Sequence, residues 1–227
     1  MKRKQEKMLR WIKDKHRNAV MNMSIDEMLF NEYSAIPVLR TYCWDNSYTT
    51  IGYFQKAKDV VAKGFVRRFT SGLMVNHQHD VSYCFVASSK YWNVYDQNET
   101  YKIIHSAIKK ALQECGIYAS MLEEKMDHVD NICINTFYTN DLVFQGKKIV
   151  GSCLRRRGDK FIVQGSIHVH LEIETDTTDL FLKLFAKNLS ATMNKDLTET
   201  TLKKSDIEKA LIIAEERYSN ALWNNKY

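Results

Sequence analysis

Apolar positions recur along this chain with two different periods. In "NAVMNMSIDEMLFNEY", Met21, Ile25, Met28 and Leu29 return every three or four residues, which predicts a helix with those residues on one face and Asp26 and Glu27 turned elsewhere. "VLRTYCW" and "YTTIGYF" read as strands joined by the turn-like "DNS". Strand-like "FVRRFT", a break at "SG", "LMVN" and "VSYCFVA" follow. From Tyr101 the helical period returns through Ile104, Ile108, Ala111 or Leu112 and Cys115, and Gly116 supplies a left-handed stop. Residues 132–173 read mostly as strand, and helices are expected near 179–189 and from Ser205 onward. Ser205 and Glu208 have the spacing of a capping box ahead of an apolar stripe of Ile207, Leu211, Ala214 and Tyr218. The order helix, strands, helix, strands, helices points to an α+β or mixed-sheet protein rather than a regular β-α repeat.

Composition narrows the class. One proline and eight glycines in 227 residues leave little room for a linker, so residues 1–227 are expected to form one domain. With 44% hydrophobic and 26% charged residues the chain belongs with globular proteins. No run approaches the roughly 18 apolar residues of a membrane span, and the basic start lacks the apolar core of a secretory signal. A cytoplasmic protein without a membrane partner is expected. Five cysteines at wide spacings, with no C-x-x-C, read as free thiols. The net charge of +6 favours an acidic partner: nucleic acid, a phosphorylated small molecule or an acidic protein. "LRRRGDK" is too short for a nucleic-acid footprint, and no recognition motif accompanies it, so nucleic acid is not expected.

Candidate chemistry lies in four places. In "RRFTSGLMVNHQHDVSYCF", the amides of Thr70, Ser71 and Gly72 can form an anion-binding turn that Arg67 or Arg68 completes, against the plainer reading of a hairpin with solvated arginines. His77 and His79 share a strand face but lack an evident third metal ligand. His168, His170 and Glu172 alternate with apolar residues and read as the outward face of a half-buried strand. Cys133 is either a small buried hydrophobe or a nucleophile in need of a base or a depressed pKa. In "NDLVFQGKKIVGSC", strand parity sends Lys147 and Lys148 to opposite faces, so that one can be solvated while the other projects a fixed charge into a pocket.

"RRFTSGLMVNHQHDVSYCF" and "NDLVFQGKKIVGSC...VQGSIHV", together with "NMSIDEMLF", "PVLRTYCW" and "TTIGYFQ" in that order, resemble the catalytic domain shared by lipoate–protein ligases, octanoyltransferases and biotin–protein ligases. The likeness spans roughly residues 18–185 and is nearest the lipoate–protein ligase A branch. It implies an α+β fold with a mixed, mainly antiparallel β-sheet flanked by helices. It also implies an acyl-transfer enzyme that activates lipoate or octanoate with ATP and Mg2+ as acyl-AMP. The acyl group then passes to a lysine of a lipoyl carrier domain, in a 2-oxoacid dehydrogenase complex or the glycine cleavage H protein. By the resemblance, Lys148 contacts the activated acyl group, and Arg68, Thr70, Ser71, Gly72, Leu73 and His77 form the arginine and glycine-turn portion. Asn140 and Asp141 sit near the nucleotide phosphate, Asp141 as the magnesium ligand. Gly151, Ser152, Gln164, Gly165 and Ser166 line the rest, with Arg40 as a further contact.

Three departures define the alternatives. Ser71 and Leu73 replace two glycines of the family turn, and the Leu73 side chain enters space a phosphate or acyl-adenylate needs. Only about forty residues follow the resemblance, enough for C-terminal helices but not a full accessory domain, so an accessory subunit is a candidate partner. Cys133 stands eight residues before Asp141, the spacing of the acyl-accepting cysteine in one octanoyltransferase branch, which needs no ATP and takes octanoyl from acyl carrier protein. The ATP-dependent ligase is the favoured expectation; the Cys133 transferase and an inactive carrier-binding relative are the alternatives.

Overall fold

Residues 7–32, 35–60, 62, 64–78, 80–124, 131–168 and 175–227 are described by a computed structural model. In chain order the elements are β1 (Met8–Lys13), α1 (Ala19–Asn31), β2 (Val38–Tyr42), β3 (Tyr48–Ile51), β4 (Val66–Arg67), β5 (Val75–His77), β6 (Val81–Ser88), α2 (Ser89–Trp92) and α3 (Gln97–Glu114). There follow β7 (Ser120–Met121), β8 (Leu142–Phe144), β9 (Lys147–Arg157), β10 (Lys160–Ile167), α4 (Thr175–Thr192), β11 (Asp196–Thr200), α5 (Lys204–Ile213) and α6 (Ala221–Asn224). The main sheet has the order β11-β1-β2-β6-β10-β9-β8-β7, and a small sheet has the order β4-β3-β5. Among the described residues of the main sheet, β11–β1 and β1–β2 pair in parallel and the pairings from β2 across to β7 are antiparallel; in the small sheet β3–β4 is parallel and β3–β5 antiparallel. The α+β class with a mixed, mainly antiparallel sheet is therefore the observed one. The parallel edge arises from "MLRWIK" in the basic start, where Leu9 and Trp11 alternate with Arg10.

Both faces of the sheet are covered, which explains why central strands read as continuous apolar runs. On β6 and β10, Tyr83, Phe85, Phe161 and Val163 pack under α3 and α4 with Ile104, Ile108, Phe181 and Phe185. Their neighbours Cys84, Val86 and Ile162 pack the other way, with Met23, Ile25, Ala210 and Tyr218 of α1 and the C-terminal helical segment. Helix α3 ends as expected, with Cys115 as its cap and Gly116 at φ +82. The β8–β9 turn places Gln145 and Gly146 at φ 50 and 74, the left-handed pair that suits a two-residue hairpin. Among the described residues, no helix is long and apolar enough to cross a membrane.

Several local details go beyond or differ from the expectations. The "elsewhere" to which Asp26 and Glu27 turn is interior: α1 lies between the sheet and the C-terminal helices, so its acidic residues are buried and must be paired. Asp26 accepts from Arg40 at 2.6 Å, Tyr42 at 2.9 Å and Gln164 at 2.7 Å, and Glu27 accepts from the Tyr218 hydroxyl at 2.7 Å and from Arg217. "FVRRFT" is a strand only over Val66–Arg67. Helix α5 begins before Ser205, with Asp206 accepting from the Lys203 N–H at 2.9 Å, and Leu211 is 47% exposed rather than part of the stripe. Within 132–173, Cys133–Asn135 is a 3₁₀ turn, tied to the small-sheet side by a single bridge between Ile132 and Met74.

Candidate active site

Where the small sheet leans on β6, β9 and β10, the fold encloses a cavity of about 680 Å³, its open mouth included. Met23, Leu73, Val75 and Ile134 give it apolar walls, while Arg68, His77, Cys133 and Lys148 converge on it. This is the usual chemistry of a small-ligand site, mostly apolar with a few aimed polar groups.

The β8–β9 hairpin delivers the lysine. Lys147 is exposed and Lys148 is 4% exposed, the separation that strand parity predicts. The Lys148 Nζ donates to Asp141 Oδ2 at 2.7 Å and to the Thr136 carbonyl at 2.8 Å, and it lies 3.6 Å from Cys133 Sγ. Burial by itself would lower the lysine pKa, but the Cys133 and Asp141 charges outweigh it and hold Lys148 above its ordinary value, as an ammonium. Burial pushes the Cys133 thiol up, and the adjacent ammonium opposes that rise. Gly151 makes this geometry possible, because a Cβ there would stand 2.5 Å from Lys148 Cε.

On the facing wall, Arg68 spreads its guanidinium over the turn that follows β4. It donates to the Leu73 carbonyl at 2.7 Å, the Ser71 carbonyl at 3.2 Å and Thr50 Oγ1 at 2.8 Å, while its buried Nε has no partner. Gly72, at φ +91, brings the turn so close that a Cβ would lie 3.2 Å from Cys153 Cβ. Thr50 Oγ1 also meets His77 Nε2 at 2.8 Å, and His77 Nδ1 meets Asp80 Oδ2 at 2.8 Å. Burial lowers the His77 pKa against the pull of Asp80, so the ring is neutral, stacked on Trp44 at 3.9 Å. Burial would raise Asp80, but His77 and the Ser166 hydroxyl hold it down to about 2.

The residues expected at the site do not all arrive there. Lys148, Cys133, Arg68, Gly72, Leu73, His77, Gly151, Ser152, Gln164, Gly165 and Ser166 line the cavity. Arg40 does not: it is fully buried with its donors on Asp14, Asn22 and Asp26. Thr70 lies behind the wall, donating to Gln164 Oε1 at 2.7 Å, and Ser71 contributes a carbonyl to Arg68. Asn140 sends its side chain to the Asn98 carbonyl at 3.2 Å. Asp141 does not line the cavity but holds Lys148, and the same carboxylate oxygen accepts from the Tyr138 N–H at 2.7 Å. A divalent cation at Asp141 would share this carboxylate with the Lys148 ammonium, which already holds Oδ2. Among the described residues, no group of three or more His, Cys, Asp or Glu side chains could hold a metal. His79, His170 and Glu172 lie outside the described residues, while His168 lines the cavity.

Other groups were not singled out from the sequence. Thr50 links Arg68 to His77, Cys153 puts a second thiol on the wall, and His105 stands behind it, 2.7 Å from Ser152 Oγ. The one available signal for His105 was a polar residue on the apolar face of α3, one helical turn from Tyr101.

The family model described as the lipoyl protein ligase A/B catalytic domain matches residues 18–204. The chain belongs to this family. Among curated relatives, the octanoyltransferase LipM of Brevibacillus brevis is 26% identical, the alignment covering 95% of this chain and 98% of the relative. The octanoyltransferase LipM of Lysinibacillus sphaericus is 32% identical over 67% of this chain and 63% of its own length. Among solved structures, a lipoate-protein ligase A bound with ATP superposes with a TM-score of 0.79 at 21% identity, covering 95% of this chain and 98% of that one. A bi-partite lipoate protein ligase from Thermoplasma acidophilum, described with its E2 lipoyl domain, gives 0.76 at 19% identity over 95% of each chain. These likenesses establish the fold of the lipoyl ligase family.

Proposed function

We propose that this protein is an octanoyltransferase that carries the acyl group on Cys133 and delivers it to a lysine of a lipoyl carrier domain. The observation that carries this reading is the Cys133 thiol set 3.6 Å from the buried Lys148 ammonium on the wall of a largely apolar cavity. This revises the expectation of an ATP-dependent ligase. The LipM names of the relatives favour the transferase. Two features of the site weigh against a nucleotide: Asp141 is engaged by Lys148, and Leu73 occupies the cavity wall at the turn where a phosphate was expected.

In this mechanism the acyl chain lies along the apolar walls, and the Cys133 thiolate attacks the thioester carbonyl of an octanoylated acyl carrier protein. The bond from the acyl carbon to the carrier sulfur breaks, and the carrier thiolate leaves and takes up a proton. Lys148 serves both halves of the reaction: its positive charge favours the Cys133 thiolate and opposes the negative charge that develops on the carbonyl oxygen. The ε-amine of the carrier lysine then attacks the Cys133 thioester, forming the amide and losing a proton as the Cys133 thiolate departs. Lys148 forms no covalent bond.

The test offers an apo-lipoyl domain with octanoyl-acyl carrier protein, or with ATP, Mg2+ and lipoate, and reads intact masses. The expected result is an octanoyl increment first on the enzyme and then on the domain without ATP, both lost in Cys133→Ala. Modification of the domain only with ATP and lipoate, at an undiminished rate in Cys133→Ala, would restore the ligase reading.

A further inference from the structure

Helix α3 carries an imidazole on its buried face, and that ring ends against the back wall of the site. His105 is 1% exposed and stacked on Tyr101, ring centres 6.1 Å apart. Its Nδ1 lies 2.6 Å from the Asn140 carbonyl. A carbonyl can only accept, so Nδ1 carries the proton. Burial lowers the His105 pKa, against the pull of that carbonyl, so the ring is neutral and Nε2 is bare. Nε2 accordingly accepts from Ser152 Oγ at 2.7 Å, and Ser152 Oγ accepts the Tyr83 hydroxyl proton. Each proton in this relay has one consistent position.

The Asn140 peptide leads directly into Asp141. Asn140 sits at φ 72, in the left-handed region that asparagine adopts more readily than most residues with a side chain. Its N–H donates to the Leu122 carbonyl at 2.9 Å, its side chain to Asn98 at 3.2 Å, and its carbonyl takes the His105 proton. Asp141 closes the turn on Tyr138, its N–H on the Tyr138 carbonyl at 3.0 Å and its carboxylate on the Tyr138 N–H at 2.7 Å. One side of the turn is thus fastened to α3, and the other presents the carboxylate that holds Lys148.

We infer that His105 is a positioning residue: its bond to the Asn140 carbonyl holds the turn in which Asp141 keeps the Lys148 ammonium beside Cys133. This rests on the reading of Cys133 and Lys148 as the acyl site and extends it to a side chain that touches neither. Without the imidazole the buried Asn140 carbonyl loses this donor, and the turn is free to shift toward another partner.

Two amide substitutions separate the two arms of the ring. His105→Asn places an amide N–H near the position of Nδ1 and keeps the bond to Asn140. His105→Gln reaches the position of Nε2 and keeps only the contact with Ser152. His105→Leu keeps neither. The primary readout is the rate of Cys133 alkylation by iodoacetamide across the thiol titration range, followed on the Cys133 peptide by mass spectrometry. The groups facing that thiol are Lys148 from β9, Asp141 and Tyr138 from the turn, Arg68 from the turn after β4 and Cys153 from β9.

His105→Leu and His105→Gln are expected to move the alkylation midpoint upward and slow the neutral-pH reaction about tenfold, the change that one pKa unit brings. In octanoyl transfer kcat falls with KM unchanged, and His105→Asn stays within about twofold of the parent, since its donor to Asn140 is kept. A parental profile in His105→Leu, rescue by Gln instead of Asn, or equal impairment of both amides would overturn the inference; the last would make the role one of packing alone. Alkylation requires no acyl donor, so it reports on His105 even if the transferase reading fails.

Discussion

Two buried cation–carboxylate pairs lie on either side of the Gln164 wall, and they do different work. Beneath the sheet, Arg40 meets Asp26 at 2.6 Å and Asp14 at 2.8 Å, stacks on the Tyr42 ring and spends its remaining donors on Asn22. At the cavity, Lys148 meets Asp141 at 2.7 Å with a carbonyl and a thiol as its other neighbours. Burial is alike in the two, although Arg40 has two carboxylate partners and Lys148 one. What separates them is the third partner: the Arg40 fork is saturated by a fixed scaffold, while the Lys148 ammonium has a thiol as its third neighbour, on the wall of the cavity. A buried ion pair becomes a reaction centre by the reactive group set beside it.

Removing each cation tests that contrast. Lys148→Ala is expected to lower octanoyl transfer by roughly 10²–10³-fold, the loss that follows removal of one preorganised oxyanion donor, while circular dichroism still reports the native fold. Arg40→Met leaves Asp26 buried without its cation, and a urea titration is expected to show a loss of about 3–5 kcal/mol, with transfer per folded molecule nearly unchanged. An Arg40 variant that folds normally yet loses transfer would erase the distinction between the two pairs.

A smaller effect comes from the His77–Asp80 couple on the same cavity wall. His77 has a folded pKa below its ordinary 6.5, so its neutral form favours folding above that pH, and the contribution is lost as the pH falls below it. Asp80 has a folded pKa of about 2 against an ordinary 3.8, so its contribution, about 2 kcal/mol by linkage, is present above 3.8 and disappears as the pH falls through 2. Both act in the same direction. Urea midpoints measured from neutral to acid pH should decline, and His77→Phe should flatten the upper part of that decline. An unchanged slope in His77→Phe would remove His77 from the acid response.

How far these groups were legible depended on the range of the forces that place them. The period of two separated Lys147 from Lys148, because alternation is local to a strand. Gly116 was legible as a stop and α3 as a helix, because left-handed termination and an apolar stripe are also local. The burial of Asp26 and Glu27 was not legible for the opposite reason: their helix looks two-sided in sequence, and the packing of Tyr218 and the sheet on both sides is what buries its acidic residues. Arg40 illustrates the same limit, since an arginine near a family motif carries no sign of partners at positions 14, 22 and 26.

The sequence by itself determined the class of fold, the family motifs, the opposite faces of Lys147 and Lys148 and the eight-residue spacing of Cys133 from Asp141. Tertiary structure alone decided that Asp141 holds an ammonium, that Arg40 belongs to the scaffold, and that His105 of α3 reaches the turn ahead of Asp141 across 35 residues of chain. The physical reason is range: periodicity and turn chemistry act between neighbours in the chain, whereas a buried charge or carbonyl must find its partner wherever packing brings one within hydrogen-bonding distance.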